Sequence, residues 1–296
     1  MNTIGIIGAM EEEVAILKEK MSEVTVLEKA GMEFFKGILG GQQVVVVRSG
    51  IGKVNAGICT QILADVFQVN AVINTGIAGS LKVEINIGDI VLSTDTMQHD
   101  VDAREFGYEI GQVPRMDTRT FPADDRLRET ALQVCRKEAN PDIEVFEGRI
   151  ASGDQFVADK ETKEKIIANT QAYCTEMEGA AIGQAAYLNG IPYLVIRAIS
   201  DKADDSAHMD YPAFEKAMAE KMDFAQNISI THFLEQEDYY KTDTHWRQER
   251  ITDVAAYLAE CMGTSLKQDY QQKTAASDFL GVYAGQSALS LSPEPL

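Results

Sequence analysis

Short apolar runs alternate with helical segments through residues 1–234, and most of these runs stop in a cluster of small or acidic residues. That alternation restricts the chain to an α/β domain, a twisted, largely parallel or mixed sheet surrounded by helices, because each helix carries the chain back to start a new strand. Thr3 to Ile7 reads as the first strand and Gly8-Ala9-Met10 as a turn. Glu11-Glu12-Glu13 then opens a helix with Val14, Leu17 and Met21 at helical spacing. Phe34–Leu39 and Gln43–Arg48 flank Gly40-Gly41 as a hairpin. Ser49-Gly50-Ile51-Gly52-Lys53 leads into a helix from about Val54 to Phe67, and Ala71–Thr75 is a buried strand ending in a Gly76-Ile77-Ala78-Gly79 turn. Val91 and its neighbours continue the sheet, residues 98–122 form a long irregular loop, and Asp124–Lys137 is a surface helix. Strands over Ile143–Ile150 and 193–199 bracket Tyr173–Thr175 and an Ala- and Gly-rich helix that reaches Leu188 and must pack closely. Tyr211-Pro212 starts a last helix to about Leu234. The α/β domain is therefore 1–234. Residues 235–296 are an extension with one amphipathic helix (Trp246, Ile251, Val254, Leu258, Met262) and a weakly ordered end from Gly281, of no assigned function.

The charge balance narrows the partners. The chain has 296 residues, 46 acidic against 27 basic, and a formal net charge of −19. A field of that sign repels nucleic acid phosphates and anionic membrane surfaces. No apolar run approaches the ~20 residues of a membrane helix. Met1-Asn2-Thr3-Ile4 has no basic n-region, so no signal peptide is expected and the location is read as cytoplasmic. Cys59, Cys135, Cys174 and Cys261 lack paired spacing and read as reduced thiols. His99, His208, His232 and His245 form no ligand pattern, so neither a metal nor a cofactor is expected.

The chemistry concentrates at the ends of predicted strands. Leu194-Val195-Ile196-Arg197-Ala198-Ile199-Ser200-Asp201 begins as a buried strand and ends in a hydroxyl and a carboxylate. Ligands of open α/β sheets bind just beyond the carboxyl ends of the strands, where Asp201 falls. Ser200-Asp201 also suits the start of a helix, as Glu11 to Glu13 suit the positive end of a helix dipole. Glu13, Glu178 and Asp201 each follow a strand, as does the Gly76–Gly79 turn. If those strands are parallel neighbours, one pocket holds all four.

Gly5-Ile6-Ile7-Gly8-Ala9-Met10-Glu11-Glu12-Glu13-Val14, Ser49-Gly50-Ile51-Gly52-Lys53-Val54, Asn74-Thr75-Gly76, Ser152-Gly153-Asp154, Glu176-Met177-Glu178 and Arg197-Ala198-Ile199-Ser200-Asp201 occur in that order. Together they resemble the 5′-methylthioadenosine/S-adenosylhomocysteine nucleosidases, which have the nucleoside phosphorylase-like fold. The resemblance covers residues 1 to about 234. It implies Asp201, beside Ser200, as the general acid at adenine N7 and Glu13 as the carboxylate that activates water. It implies Glu178 as the ribose carboxylate, Met177 against the sugar, Phe156 stacked on adenine and the Val157 backbone on the base edge. Arg197 reaches toward the sugar side and holds nearby carboxylates, and Tyr211 lies near the 5′ substituent. Ala9, Ile51, Ile77, Gly79 and Glu176 also join the substrate pocket by this resemblance. Phe106 and Pro114 are implied as residues a partner subunit lends to that pocket, hence a homodimer. Ile77 departs from the pattern, since many members carry Ser there.

The residue types suit that chemistry on their own. Breaking an N-glycosidic bond needs an acid on the base and a carboxylate to orient water on the opposite face. A free Asp, with a pKa of ~3.9, needs burial or a shared hydrogen bond to hold that proton. Three other readings stay open from sequence. They are a purine nucleoside phosphorylase with Arg48 or Lys53 near its anion, a non-catalytic nucleoside-binding module, and a dinucleotide binder on Gly5 and Gly8 that lacks the full glycine fingerprint.

Overall fold

The computed structural model describes residues 3–138, 143–204 and 206–207. The expected helix from Tyr211, the remaining extension and Tyr211 itself lie outside them. β1 (Ile4–Gly8) leads into a turn and then a helix of only five residues, α1 (Ala15–Glu19). The three acids therefore sit in the turn and not in the helix's first turn, so the dipole does not explain them. The chain next forms β2 (Ser22–Lys29), where the sequence spacing had extended the helix to Met21. Every residue of β2 is exposed, so no alternation of burial marks it, and its pairing with β3 (Met32–Leu39) alone defines it. β4 (Gln42–Arg48) completes the expected hairpin, with Leu39 opposite Gln42 across Gly40-Gly41.

α2 (Lys53–Asp65) follows and buries Ala56, Cys59, Ile62 and Leu63. β5 (Ala71–Ser80) runs ten residues, straight through Gly76-Ile77-Ala78-Gly79, which is strand and not turn. The reason is that β10 extends alongside it through Gly79, where β9 joins from the other side. β6 (Ile90–Gln98), β7 (Thr120–Pro122), α3 (Asp125–Glu138) and β8 (Val145–Ser152) come next. α4 (Lys160–Thr170), which the apolar spacing did not show, is started by Asp159, whose carboxylate accepts from Thr162 N at 2.8 Å. β9 (Cys174–Glu176), α5 (Gly179–Asn189) and β10 (Tyr193–Asp201) complete the described residues. α5 lies tight on the sheet, as its Ala and Gly content required. A Cβ at Gly183 would stand 2.7 Å from the Tyr193 hydroxyl.

All ten strands form one sheet in the order β10-β6-β8-β9-β5-β1-β4-β3-β2, with β7 on β6. β1 is parallel to β4 and β5, and β10 is parallel to β5. β10 also pairs with β6, antiparallel, so β5, β9, β8, β6 and β10 close into a ring. The sheet is thus mixed, with five parallel and five antiparallel pairings. β9 runs against β5, so Glu178 does not reach the site from a parallel neighbour. It arrives from the opposite direction, and ring closure brings the two strand ends together.

Candidate active site

Four carboxylates and one arginine define the centre. Glu13 folds back over its own turn. Its Oε2 accepts from Ala9 N at 2.6 Å and Met10 N at 3.0 Å. Its Oε1 accepts from Ile77 N at 3.2 Å. The backbone approach at Ile77 therefore persists without the serine hydroxyl. The middle of β5 must be bare for this: a Cβ at Gly76 would lie 2.5 Å from Glu13 Oε1 and 3.0 Å from Arg197 Nη1.

Arg197 is fully buried on β10. Its Nη2 donates to Asn74 Oδ1 at 2.6 Å and to Glu176 Oε2, and lies 3.9 Å from Glu178 Oε2. Asn74 in turn donates to the Ile7 carbonyl at 2.9 Å, tying the arginine to β1. A guanidinium in so dry a place is tolerable only because carboxylates surround it.

Glu176 and Glu178 differ sharply. Glu176 accepts from the Ser152 hydroxyl, from Glu178 N at 3.1 Å, from Gly179 N at 2.8 Å and from Arg197. Burial opposes its charge, but Arg197 and these donors outweigh it and hold the carboxyl below the usual range. Its oxygens accept from groups inside the protein and hold the turn that carries Glu178. Glu178 has one strong protein donor, Gly52 N at 2.8 Å. Burial and the neighbouring Glu176 charge push its pKa up to about 7.

Asp201 is buried at the last position of β10, opposite Gly79, after a bulge between Ile199 and Asp201. Such a bulge re-aims the side chains at a strand end. Asp201 Oδ2 accepts from Ser200 Oγ at 2.8 Å and Oδ1 from Ala203 N at 2.7 Å. A Cβ at Gly79 would stand 2.7 Å from Asp201 Oδ1.

Of the remaining expected residues, Ala9 and Val157 are buried, Met177 is half-buried, and Phe156 and Ile51 are more than half exposed. Phe106 is 81% exposed and Pro114 is exposed, so neither joins the core of the chain. Two contributors stood in the sequence motifs without an assigned role: Asn74 and Ser152. The signal for Asn74 was an amide inside an otherwise apolar strand. The two cations considered for an anion site are engaged elsewhere. Lys53 Nζ donates to Gln98 at 2.9 Å and Asp100 at 2.6 Å, and the half-exposed Arg48 lies 3.8 Å from Glu11.

A ring-closed mixed sheet with this carboxylate–arginine centre is the build of a nucleoside-processing enzyme, and residues 3–235 match the family model of the phosphorylase superfamily. Within that superfamily the chain belongs to the 5′-methylthioadenosine/S-adenosylhomocysteine nucleosidases. It is 44% identical over 214 residues to such a nucleosidase from Exiguobacterium, covering 71% of this chain and 90% of the relative. A solved nucleosidase from Colwellia psychrerythraea, in complex with adenine, is 43% identical with a TM-score of 0.69, covering 72% of this chain and 88% of that one. A futalosine hydrolase from Helicobacter pylori is 33% identical with a TM-score of 0.67, covering 75% of this chain and 98% of that one.

Proposed function

We propose that the chain hydrolyses the N-glycosidic bond of 5′-methylthioadenosine and S-adenosylhomocysteine, releasing adenine and the thioribose sugar. The observation that carries this reading is the pairing of Glu13, held by three backbone N–H groups, with Asp201, buried beside Ser200, around one β5 segment. Asp201 supplies the proton to the departing adenine at N7. Glu13 orients water toward the sugar, and Glu178 accepts from the ribose hydroxyls while its charge stabilises the cationic sugar. The Ser200 hydroxyl and the Ala203 N–H fix the Asp201 carboxyl in place. Phe156 and Val157, on the loop after β8, take the base.

Hydrolysis is favoured over phosphorolysis by charge. Phosphate beside Glu13, Glu176 and Glu178 would meet three carboxylates against the one buried arginine, and like charges repel more strongly as water is excluded. Neither Lys53 nor Arg48 faces that place with a free charge.

A homodimer is part of the reading. Phe106 and Pro114 are exposed, and so are the apolar residues Ile51, Val54 and Ile58 at and along α2. The free cysteines Cys59, Cys135 and Cys174 and the absence of a membrane-length apolar helix among the described residues support a cytoplasmic location. The family match ending at residue 235 supports a domain of 1–234 with an appended 235–296.

The deciding experiment follows adenine release from methylthioadenosine with and without millimolar phosphate, in the full chain and in a chain ending at Leu234. Free methylthioribose at an undiminished rate without phosphate, in both chains, is expected. A strict phosphate requirement with a sugar 1-phosphate product would assign a phosphorylase. Loss of folding on truncation would place the extension in the core.

A further inference from the structure

The N-terminus of α2 has no cap of its own. Its N-cap residue, Gly52, has no side chain, sits at φ +97° and makes no side-chain cap hydrogen bond. The acceptor comes instead from 101 residues away: Asp154 Oδ1 accepts from Lys53 N at 2.8 Å. The Lys53 side chain turns back and donates to Asp100 Oδ1 at 2.6 Å and Gln98 Oε1 at 2.9 Å. Asp100 Oδ2 accepts from Asp154 N at 3.0 Å, which closes the circuit. Burial opposes the Asp100 charge, yet the Lys53 ammonium and the Asp154 N–H hold its carboxyl below the usual range. Burial also lowers the pKa of the adjacent His99, so this imidazole does not replace Lys53 as the partner cation.

The circuit ends one residue from the chemistry. Gly52, immediately before Lys53, is the donor to Glu178 Oε1 at 2.8 Å. Asp154 lies on the same loop as Phe156 and Val157. We propose that Asp154, Lys53 and Asp100 form a latch that positions the Gly52 N–H against Glu178, so that Asp154 acts as a positioning residue linking the base-side loop to the ribose carboxylate. This rests on the reading of Glu178 as that carboxylate. The Gly52 bond matters because the other groups facing Glu178 are finely opposed: Glu176 on β9 and Glu13 after β1 disfavour its charge, and Arg197 on β10 favours it. A hydrogen bond to the charged form favours ionisation, so a drifting Gly52 N–H leaves Glu178 protonated to higher pH.

The test uses Asp154→Ala and Asp154→Asn in the full chain. Asp154 is exposed, so neither change opens a cavity. D154A removes the acceptor for Lys53 N. D154N retains it in the amide oxygen. We expect D154A to lose roughly tenfold in kcat/KM at neutral pH, with the acidic limb of its pH profile moved upward, and D154N to stay near the parental profile. A parental profile in D154A, or equal losses in both variants, overturns the latch. The carboxyl ¹³C titration of Glu178 in the unliganded protein reads the same effect without turnover: its midpoint rises in D154A alone. A parental chain that releases no adenine would overturn the functional reading, while that titration would still decide the latch.

Discussion

The two halves of the sheet share one apolar cluster but differ in what else they bury. Where β4, β3 and β1 lie under α2, the interior buries no charged side chain: Phe34, Val45, Val47, Cys59 and Leu63 pack together, and Phe34 stacks on Phe67 with centroids 5.1 Å apart. Where β5, β9, β8, β6 and β10 close into a ring, the interior holds Arg197, Glu176, Glu178, Asn74 and Asp201, all buried. The first arrangement derives its stability from removing apolar area from water, at ~25 cal/mol per Å². The second concentrates charge in a place that water reaches poorly, where the same charges act strongly on a reacting sugar. Stability and chemistry are thus assigned to neighbouring parts of one sheet, joined through β1 and β5.

The largest separation of the halves should come from Asp201→Asn. Turnover should fall by ~10²–10⁴-fold with melting temperature nearly unchanged, since the amide still accepts from Ala203 N. Adenine release at a near-parental rate would remove Asp201 from the role of acid.

Arg197→Met and Phe34→Ala then compare the halves directly. The first leaves Glu176 and Glu178 without their cation and should cost about 3–5 kcal/mol, together with activity. The second leaves a cavity under α2 and should also cost about 3–5 kcal/mol, but the folded fraction should retain the parental kcat. Denaturant unfolding paired with single-turnover rates checks both. An Arg197→Met protein as stable as its parent would mean the ring does not depend on charge pairing.

The smallest effect is a dependence on pH. Glu178 has a folded pKa of about 7 against an ordinary 4.5, so the folded chain holds this proton more tightly than the unfolded chain does. The resulting stabilisation is complete below the unfolded pKa and is lost as pH rises through about 7. Glu176, shifted downward, contributes in the opposite sense: its stabilisation is present above its unfolded value and lost only as pH falls through its lowered folded pKa. Melting temperature should therefore lose part of its decline between about pH 5 and 7 in Glu178→Gln, and kcat should fall more than KM rises. A variant whose melting curve tracks the parent at every pH would place Glu178 in a less buried setting.

What the sequence alone determined was local or carried by motif. The Gly40-Gly41 hairpin, the close-packed Ala- and Gly-rich helix α5, and the residues Glu13, Glu178, Arg197 and Asp201 were all legible, because turns, periodicity and strand-end chemistry act over a few residues. Tertiary structure decided the rest. β2 has no burial pattern to read. The Gly76–Gly79 segment is glycine-rich like a turn, yet it is strand because β10 runs along it and β9 pairs at its end. Glu176 and Glu178 stand two residues apart and look alike in sequence. Only the fold brings Ser152, Gly179 N and Arg197 onto the first and leaves Gly52 N, 126 residues away, on the second. The physical reason is that a carboxylate's role depends on which donors surround it. Here Ser152 and Arg197 arrive from β8 and β10, strands whose pairing is set by ring closure, a register that no local stretch of the chain encodes.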